Sequence, residues 1–310
     1  MRNMNKMSNY EIIPKVAVLL STYNGERFLP EQIESLNKQI GVEISVLVRD
    51  DGSTDNTVNL LRTWETQGID WYKGRNLNAA KSYLDLIEKV DTTYDYYAFC
   101  DQDDVWDDNK LQSAIDALEK FPSTVPALYC SSLRLVDEQL NIIKVHNINE
   151  KRNSKARYIF SNIAGCTMVF NKSLLEMLKL HYPTGNIIMH DSWVYKVCLA
   201  LGGNIYIDHN SHINYRQHGN NVCGMGQGIK RKMKIRFNYL FRLKVKSELQ
   251  CILDGYSNYM IAEYKEFTEL VCSYDQSFRS YFKLLFNQDI DFNHFGLNLL
   301  FRLKVILLKL

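Results

Sequence analysis

Hydrophobic runs alternate with amphipathic segments through about the first 120 residues. Four short runs rich in β-branched, leucine and aromatic residues predict strands, at 16–21, 44–48, 69–74 and 96–101. Between them, apolar residues at helical spacing predict helices, such as Leu29, Ile33 and Leu36 after the first run. This alternation predicts βαβ units in a mostly parallel sheet that helices cover on both faces.

The pattern changes in the second half of the chain. The segment 126–143 predicts a hairpin, and 164–180 predicts a strand that runs into a helix. A helix that stops at glycine is predicted for 190–203, and two strands with an irregular loop for 204–224. The composition then becomes basic, so we place a boundary near residue 225, with an α/β domain at 1–225 and a helical region at 226–310.

Composition and charge limit the class of protein. A chain of 310 residues with 46% hydrophobic and 23% charged residues is typical of a globular protein, and a net charge of +2 gives no reason to expect nucleic acid. The seven cysteines show no CxxC and no paired spacing, which argues against a zinc site or a disulfide framework and favours the reducing cytoplasm. No run resembles a signal peptide or a membrane-spanning helix, so we expect neither export nor a transmembrane segment.

Three aspartates, Asp101, Asp103 and Asp104, follow the fourth predicted strand. Carboxylates this close repel one another, which raises their pKa values unless a positive group lies among them. Because hard oxygen ligands suit Mg²⁺ or Mn²⁺, the cluster predicts a divalent-metal site at the edge where parallel strands end. The alternative is a solvated turn that caps the next helix.

A second acidic turn, "DDGSTD" at 50–55, follows the second predicted strand. It lacks the alternate ligand spacing and the closing glutamate of an EF-hand loop. A carboxylate here can accept hydrogen bonds from a base or ribose, and Asp51 is the first choice for that contact. The alternative is an Asx turn with Thr54 or Asp55 capping the following helix. The sequence has neither GxGxxG after the first strand nor a P-loop, which argues against nicotinamide, flavin, ATPase and kinase sites.

The ordered set of polar motifs resembles the family 2 glycosyltransferases of GT-A fold, in particular bacterial rhamnosyltransferase-like members. The motifs are "LLSTYNGERFLPEQIESLNKQ", "VLVRDDGSTDNT", "NLNAAKSY", "FCDQDDVWDDNKL", "HDSW" and "YRQHGNN", and they cover about residues 15–222. Each motif alone is weak, but their order is specific. The resemblance implies a GT-A-like, mostly parallel sheet flanked by helices, with a nucleotide-sugar-binding catalytic domain at 1–225 and a C-terminal helical extension.

The resemblance also implies roles for individual residues. The strand-end Asp-Gln-Asp corresponds to the family's DxD signature, with Asp101 near the ribose and Asp103 on a divalent metal that bridges the donor's diphosphate. The catalytic base is a carboxylate that opens a late helix, here Asp191. Four further residues are implied to surround the nucleotide: Thr22, Tyr23, Asn24 and Asp51.

Two positions depart from the family's pattern. His190 stands where the family commonly has glutamate, which leaves the aspartate in place but puts a helper role for position 190 in doubt. Asn78 stands where the related pattern commonly has glycine. In the same motif Lys81 can meet a donor phosphate, and the alternative is a solvated lysine.

A basic pair in "YRQHGNN" adds two more site residues. Arg216 can pair with phosphate charge, and His218 can bind the metal or a phosphate, with a structural histidine as the alternative. Transfer of a glycosyl group needs a neutralised diphosphate leaving group and a base for the acceptor hydroxyl. One base carboxylate fits a single displacement with inversion, since retention requires a placed nucleophile.

These inferences predict an inverting, metal-dependent glycosyltransferase that uses a UDP- or dTDP-linked sugar. By resemblance the donor is dTDP-rhamnose and the acceptor is a surface glycan on a lipid carrier at the inner face of the membrane. The alternatives are a sugar nucleotidyltransferase, against which the missing Arg/Lys-bearing glycine-rich loop argues, and a non-catalytic glycan-binding or scaffold protein.

A basic segment from Lys230 to Lys246 carries eight cationic residues and no acidic one, interleaved with aromatic residues. It predicts an amphipathic helix that docks on an anionic membrane surface, as does the final run "LNLLFRLKVILLKL". We therefore expect a cytoplasmic protein that is peripheral on the inner face of the membrane. The alternative is a solvated helix face.

Overall fold

The computed structural model describes residues 13–148, 154–161, 163–185, 187–218 and 244–310. Nine strands in these ranges form one mixed sheet, with helices on both faces. The strands are β1 (Lys15–Thr22), β2 (Glu43–Asp50), β3 (Asp70–Lys73), β4 (Tyr96–Asp101), β5 (Val105–Trp106), β6 (Ala127–Val136), β7 (Ile142–His146), β8 (Val169–Asn171) and β9 (Asn204–Arg216). The first seven helices are α1 (Leu29–Asn37), α2 (Thr57–Glu65), α3 (Ala79–Lys89), α4 (Lys110–Leu118), α5 (Ser154–Ile159), α6 (Lys172–Lys179) and α7 (His190–Ala200). Four more follow after residue 244: α8 (Val245–Tyr256), α9 (Ala262–Ser273), α10 (Phe278–Leu285) and α11 (Phe295–Ile306).

The order of the strands places polar strand ends side by side. The sheet runs β3-β2-β1-β4-β8-β6-β9-β5, with β7 paired to β6. Strand β1 pairs in parallel with β2 and β4, so that Thr22 lies opposite Asp50 and Ser21 lies opposite Asp101. Strands β5 and β8 run antiparallel to their neighbours. The predicted α/β fold with a mostly parallel sheet is confirmed.

The alternation of buried residues along β1 divides the interior into two cores. Val16, Val18 and Leu20 pack with helices α1, α2 and α4 on one face of the sheet. Ala17 and Leu19 point to the other face, where they join the core formed with α3 and α7. Successive strand residues face opposite sides of a sheet, so one short run serves both cores.

The C-terminal helices share the second of these cores. Leu249 and Ile252 of α8 are fully buried there together with residues of α7. Lys196 of α7 and Glu248 of α8 form an ion pair in which both side chains are fully buried. The boundary predicted near residue 225 lies outside the described residues, and the division into two domains stays a prediction.

One prediction of local structure is wrong, and two short elements were missed. Residues 204–216 form the single strand β9 rather than two strands, because irregular pairing to β6 around Ser132 absorbs the polar stretch at 208–211. The two-residue strand β5 and the short helix α5 were not predicted. Helix α7 ends as predicted, with Gly202 at a φ of +70° directly after it.

Candidate active site

The last residue of β4 is a carboxylate that is held by a residue of helix α3. Asp101 accepts a hydrogen bond of 2.7 Å from the hydroxyl of Tyr83 on α3, and the same hydroxyl lies 2.7 Å from the carbonyl oxygen of Cys100. Burial, with the charge of Asp103 as a second cause, raises the pKa of Asp101 to about 6, and the hydrogen bond from Tyr83 opposes this rise. Asp101 therefore needs a cation nearby to stay fully ionised at neutral pH.

Asp101 also belongs to a cluster of three side chains that could bind a metal ion. One atom each of Asp101, Asp104 and Cys166 lies within 4.8 Å of the others. Asp104 is fully buried, and its Oδ1 accepts the backbone N–H of Arg216 at 3.2 Å. Its Oδ2 has no hydrogen-bond partner among the described residues. Burial, then the charges of Asp103 and Asp101, raise the pKa of Asp104, which marks a carboxylate that lacks a compensating charge.

A buried amine lies behind these carboxylates. Lys110 at the start of α4 is fully buried, and its Nζ lies 3.4 Å from the centroid of the Trp106 ring. It has no hydrogen-bond partner in the described part of the chain. Burial lowers the pKa of Lys110 to about 8, while the charges of Cys100, Cys166 and Asp104 act in the opposite direction. Nothing in the sequence indicated that Lys110 belongs to the site, because a lysine at a helix start is ordinarily solvated.

The two predicted metal ligands lie in contact. Nε2 of His218 is 2.7 Å from Oδ2 of Asp103. The antiparallel pairing of β5 with β9, which sets Trp106 opposite Ile213, brings the two motifs together. Because Nε2 is engaged by Asp103, a metal can bind these two atoms only by replacing this contact. Metal binding at this pair stays a prediction.

Arg216 occupies a buried position beneath this pair. Its guanidinium donates 2.9 Å to the carbonyl oxygen of Asp103, and it also contacts the Glu138 carbonyl and the Glu31 carboxylate. It lies 4.6 Å from the centroid of the Phe28 ring. These contacts hold the backbone of the DxD motif in place. The prediction that Arg216 pairs with a donor phosphate stays untested, and a donor would have to compete with these partners.

The middle residue of the DxD motif ties β4 to the turn after β1. Oε1 of Gln102 accepts the hydroxyl of Thr22 at 2.6 Å and the N–H of Tyr23 at 2.9 Å. Asn24, at a φ of +49°, accepts the N–H of Thr54 through Oδ1 at 2.8 Å, which joins the same turn to the turn after β2. Tyr23 is exposed. Three of the residues predicted to surround a nucleotide therefore lie at one edge of the sheet.

Asp51 lies at that edge, but its carboxylate already accepts hydrogen bonds from within the protein. It forms a buried ion pair with Arg49, and it accepts the N–H of Leu77 at 2.9 and 3.1 Å through its two oxygens. Arg49 also donates to Asp85 at 2.9 Å. This network fixes the turn between β2 and α2. A contact from Asp51 to the ribose or base stays a prediction.

The motif "NLNAAKSY" places Lys81 in the first turn of α3, where its side chain is exposed. Asn78, the N-cap of α3, has a φ of +68° and a ψ of 165°. This backbone region is essentially restricted to glycine, which explains why glycine is common at this position in related sequences. The phosphate contact predicted for Lys81 stays a prediction.

Asp191 lies in the first turn of α7, across from the acidic cluster. Burial raises the pKa of Asp191 to about 7, and the charges of Asp101 and Glu248 add to the rise. Its backbone hydrogen bonds oppose the rise without cancelling it. A carboxyl group with this pKa is poised to exchange a proton near neutral pH.

His190, the departure from the family's pattern, is a buried ring. It stacks on Tyr83 with 3.9 Å between ring centroids and meets the edge of Phe99 at 4.9 Å. Neither ring nitrogen has a hydrogen-bond partner among the described residues. Burial lowers the pKa of His190 to about 3, so the ring is neutral. Its visible role is to pack against Tyr83, the residue that holds Asp101.

Residues 17–178 match the model of Glycosyl transferase family 2, which covers more than half of the chain and all of its strand-end motifs up to the DxD. The chain belongs to this family. The predictions of the family and of a glycosyltransferase that uses a nucleotide sugar are therefore confirmed, and the two alternative classes of protein are not supported.

Individual relatives agree with this family assignment. The chain is 32% identical over 238 residues to the dTDP-rhamnosyl transferase RfbG of Shigella flexneri, covering 69% of this chain and 77% of that protein. It is 23% identical over 167 residues to the UDP-Glc:alpha-D-GlcNAc-diphosphoundecaprenol beta-1,3-glucosyltransferase WfaP of Escherichia coli, covering 54% of this glycosyltransferase and 64% of WfaP. Less than two thirds of WfaP is thus matched.

The fold resembles that of a solved structure with a bound nucleotide sugar. The structure of S. aureus TarS 1-349 in complex with UDP-GlcNAc matches with a TM-score of 0.53 at 15% identity, over 94% of this chain and 90% of that one. At this identity the similarity concerns the fold alone. It confirms the expected GT-A-like arrangement with C-terminal helices.

Proposed function

We propose that this glycosyltransferase transfers rhamnose, with inversion, from a dTDP- or UDP-linked donor to a surface glycan or a lipid-linked acceptor, and that it requires Mg²⁺ or Mn²⁺. One observation carries the proposal. The carboxylate cluster at the end of β4 and the single carboxyl group of Asp191, whose pKa is about 7, face the same edge of the sheet. That edge is where ligands bind in open α/β sheets.

The residues of the cluster fit a divalent cation. Asp104 Oδ2 is a buried carboxylate oxygen without a hydrogen-bond partner in the described ranges, and one oxygen of Asp104 lies within 4.8 Å of an oxygen of Asp101 and of the Cys166 sulfur. Asp103 adds a third carboxylate and His218 a nitrogen. Oxygen ligands of this kind favour Mg²⁺ or Mn²⁺ over softer metals. When bound, the ion would neutralise the charge that develops on the leaving diphosphate.

The chain's own residues supply the rest of the reaction. Thr22, Tyr23 and Asn24 bind the nucleotide at the end of β1, and Asp101 orients the ribose. Asp191 accepts the proton of the acceptor hydroxyl as its oxygen attacks the anomeric carbon and the bond to the diphosphate breaks. General-base assistance of this kind contributes roughly 10²- to 10⁴-fold to a rate. One base and no covalent step give inversion of the anomeric carbon.

The choice of donor and acceptor rests on the relatives. Similarity to a protein described as a dTDP-rhamnosyl transferase favours rhamnose, while WfaP is described as acting on a diphosphoundecaprenol-linked sugar. The description of WfaP favours a lipid-linked sugar as the acceptor. A screen of dTDP- and UDP-sugars by thermal shift, with and without Mn²⁺, identifies the donor, since a ligand that binds only the native state raises its Tm.

A single substitution tests the metal site. Asp103→Ala removes the carboxylate that contacts His218 and is expected to abolish Mn²⁺-dependent donor binding without unfolding the protein. Asp108→Ala is the matched control, because Asp108 is an exposed aspartate four positions beyond the last residue of the cluster. Isothermal titration calorimetry with dTDP-rhamnose measures both variants. Unchanged Mn²⁺-dependent affinity in Asp103→Ala would show that the metal is held elsewhere.

A further inference from the structure

The last two helices carry an exposed apolar face that the proposed reaction does not use. The exposed side chains recur about four residues apart along each helix, as expected when they share one side of it. Phe278 and Phe295, the first member on each helix, are 86% and 83% exposed. We call this the C-terminal face, and its members are Phe278, Phe282, Phe286, Phe295, Leu299, Leu303, Ile306, Leu307 and Leu308.

The two helices that form the C-terminal face are fixed to each other. Arg302 of α11 donates hydrogen bonds to the carbonyl oxygens of Leu284, Leu285 and Asn287 at the end of α10, at 3.1 Å for the first and 2.7 Å for the last. Phe301 and Leu284 are buried underneath. The exposed residues are therefore the outer side of a packed pair, and burial in the protein's own core is not available to them.

The charged side chains on the two helices that form the C-terminal face are all cationic. Arg279 and Lys283 are exposed among the phenylalanines of α10, and Lys309 is exposed after α11. Neither helix contains an acidic residue. In the connection between the helices, Asp289 pairs with Lys155, and Asp291 is an exposed carboxylate that accepts a hydrogen bond from the neutral amide of Asn298.

The exposed apolar residues and the cations together indicate which kind of surface covers the C-terminal face. A symmetric dimer would place the same patch of two copies together and bring like charges into contact. An anionic bilayer complements the cations and accepts the aromatic and aliphatic side chains among its headgroups. We propose that the C-terminal face docks this protein on an anionic lipid bilayer.

The helix lengths fit a position on the bilayer surface. Helix α11 has 12 residues, about 18 Å, whereas a spanning helix needs about 20 apolar residues. In the described parts of the chain no helix combines the length and apolar character needed to cross a membrane. Both amphipathic helices would lie parallel to the surface with the C-terminal face inserted at headgroup level.

The proposal rests on residues other than those of the basic segment Lys230–Lys246. Most of that segment, up to residue 243, lies outside the described residues, and Lys246 forms an ion pair of 2.6 Å with Asp275. The proposal is also independent of the donor and the acceptor. A protein that binds bilayers through the C-terminal face does so whether or not it transfers rhamnose.

The test is co-sedimentation of the full chain with phosphatidylcholine vesicles that contain either no anionic lipid or about one third phosphatidylglycerol. Wild type is expected to bind only the anionic vesicles, and less as salt is added. Phe278→Ser/Phe282→Ser/Phe286→Ser is expected to lose at least about tenfold in binding. The matched control is Ile142→Ser/Ile143→Ser/Val145→Ser on β7, whose side chains are 65%, 60% and 46% exposed. This control is expected to bind as wild type does.

A second pair of variants tests the charges. Arg279→Glu/Lys283→Glu is expected to weaken binding by about 25-fold or more, at about fivefold for each cation lost. Its control, Lys38→Glu/Arg62→Glu, reverses one exposed cation directly after α1 and one on α2, and is expected to leave vesicle binding unchanged. Circular dichroism confirms that each variant is folded.

Three results would overturn the proposal. The first is wild type binding to neither kind of vesicle, and the second is unchanged binding in both the phenylalanine and the charge variants. The third is a wild-type oligomer in light scattering that the phenylalanine variant dissociates, which would assign the C-terminal face to a second copy of the chain.

Discussion

Replacement of Asp191 by asparagine is expected to slow the enzyme and stabilise it at the same time. Asparagine has nearly the same shape as aspartate but cannot take the proton of the acceptor hydroxyl. If Asp191 is the base, turnover falls by about 100-fold or more while donor affinity is retained. The effect on stability follows from the pKa of Asp191, which burial raises from 3.8 to about 7.

The magnitude can be estimated from this rise of about three units. Each unit corresponds to about 1.4 kcal/mol, so ionised Asp191 destabilises the fold by at most about 4 kcal/mol above pH 7. The side chain is only partly buried, and solvent reduces the figure to about 2 kcal/mol. Asp191→Asn removes this charge, so at pH 8 the variant is expected to melt a few degrees higher than wild type.

The sign of the pH dependence follows from the direction of the shift. A carboxyl group whose pKa is raised in the folded state binds a proton on folding between about pH 4 and pH 7. The stability advantage of Asp191→Asn is therefore complete above about pH 7 and disappears as the pH falls towards 4. The activity of wild type changes with pH in the opposite direction to its stability, because only ionised Asp191 can act as a base. We therefore expect kcat/KM to rise as the pH increases through about 7.

Two measurements check the argument. Urea unfolding of wild type and Asp191→Asn at pH 8 and pH 5 gives the stability difference, and initial rates between pH 5.5 and 8.5 give the activity profile. A variant that is less stable than wild type at pH 8 would show that Asp191 is not a buried charge. Near-normal turnover in the variant would show that a group other than Asp191 is the base.

The remaining predictions concern stability. Asn78→Gly is expected to stabilise the protein by about 1 kcal/mol in urea unfolding, because glycine tolerates the φ of +68° and is nearly as good an N-cap. The control Asn78→Ala keeps the backbone strain and loses the cap, so it is expected to destabilise the protein. Lys196→Met leaves Glu248 buried without its cation and is expected to lower the free energy of unfolding by about 3–5 kcal/mol. The double variant Lys196→Met/Glu248→Gln is expected to recover most of this loss in the same urea experiment. Equal losses in both variants would contradict this account.

Local patterns were sufficient to predict much of the fold and the general position of the site. The continuous apolar run of β1 and the helical spacing of Leu29, Ile33 and Leu36 depend only on neighbouring residues, so both were visible in the sequence. The placement of Thr22 beside Asp50 and of Ser21 beside Asp101 then follows from the parallel pairing of adjacent strands. The ends of the strands are therefore enough to predict where the candidate site lies.

Contacts between distant segments could not be predicted in the same way. His218 meets Asp103 because β5, which is only two residues long, pairs with β9. Two residues are too few to show a period, and the chain between Asp103 and His218 contains most of the sheet's second half. The same applies to Arg216, which was predicted to pair with phosphate charge and whose burial under the DxD backbone could not be seen in the sequence.

The environment of each carboxylate depends on residues that resemble ordinary core or surface positions. Tyr83 lies in a helical pattern of buried residues, and nothing local indicates that its hydroxyl reaches Asp101. Lys110 has the sequence context of a solvated lysine but is fully buried beside the acidic cluster. Whether a motif's carboxylates are ionised is thus decided by side chains outside the motif.

Glu248 extends this reasoning to the helix that carries the proposed base. It lies on α8, beyond the residues matched by the family model, yet one of its oxygens accepts the N–H of Ile188 at 3.1 Å and the other pairs with Lys196. These two contacts hold both the entry to α7 and its body. The charge of Glu248 also contributes to the raised pKa of Asp191. The C-terminal helices therefore help to set the position and the proton affinity of Asp191. A chain that ends before α8 retains every motif, but we expect its Asp191 to be misplaced and its transferase activity to be lost.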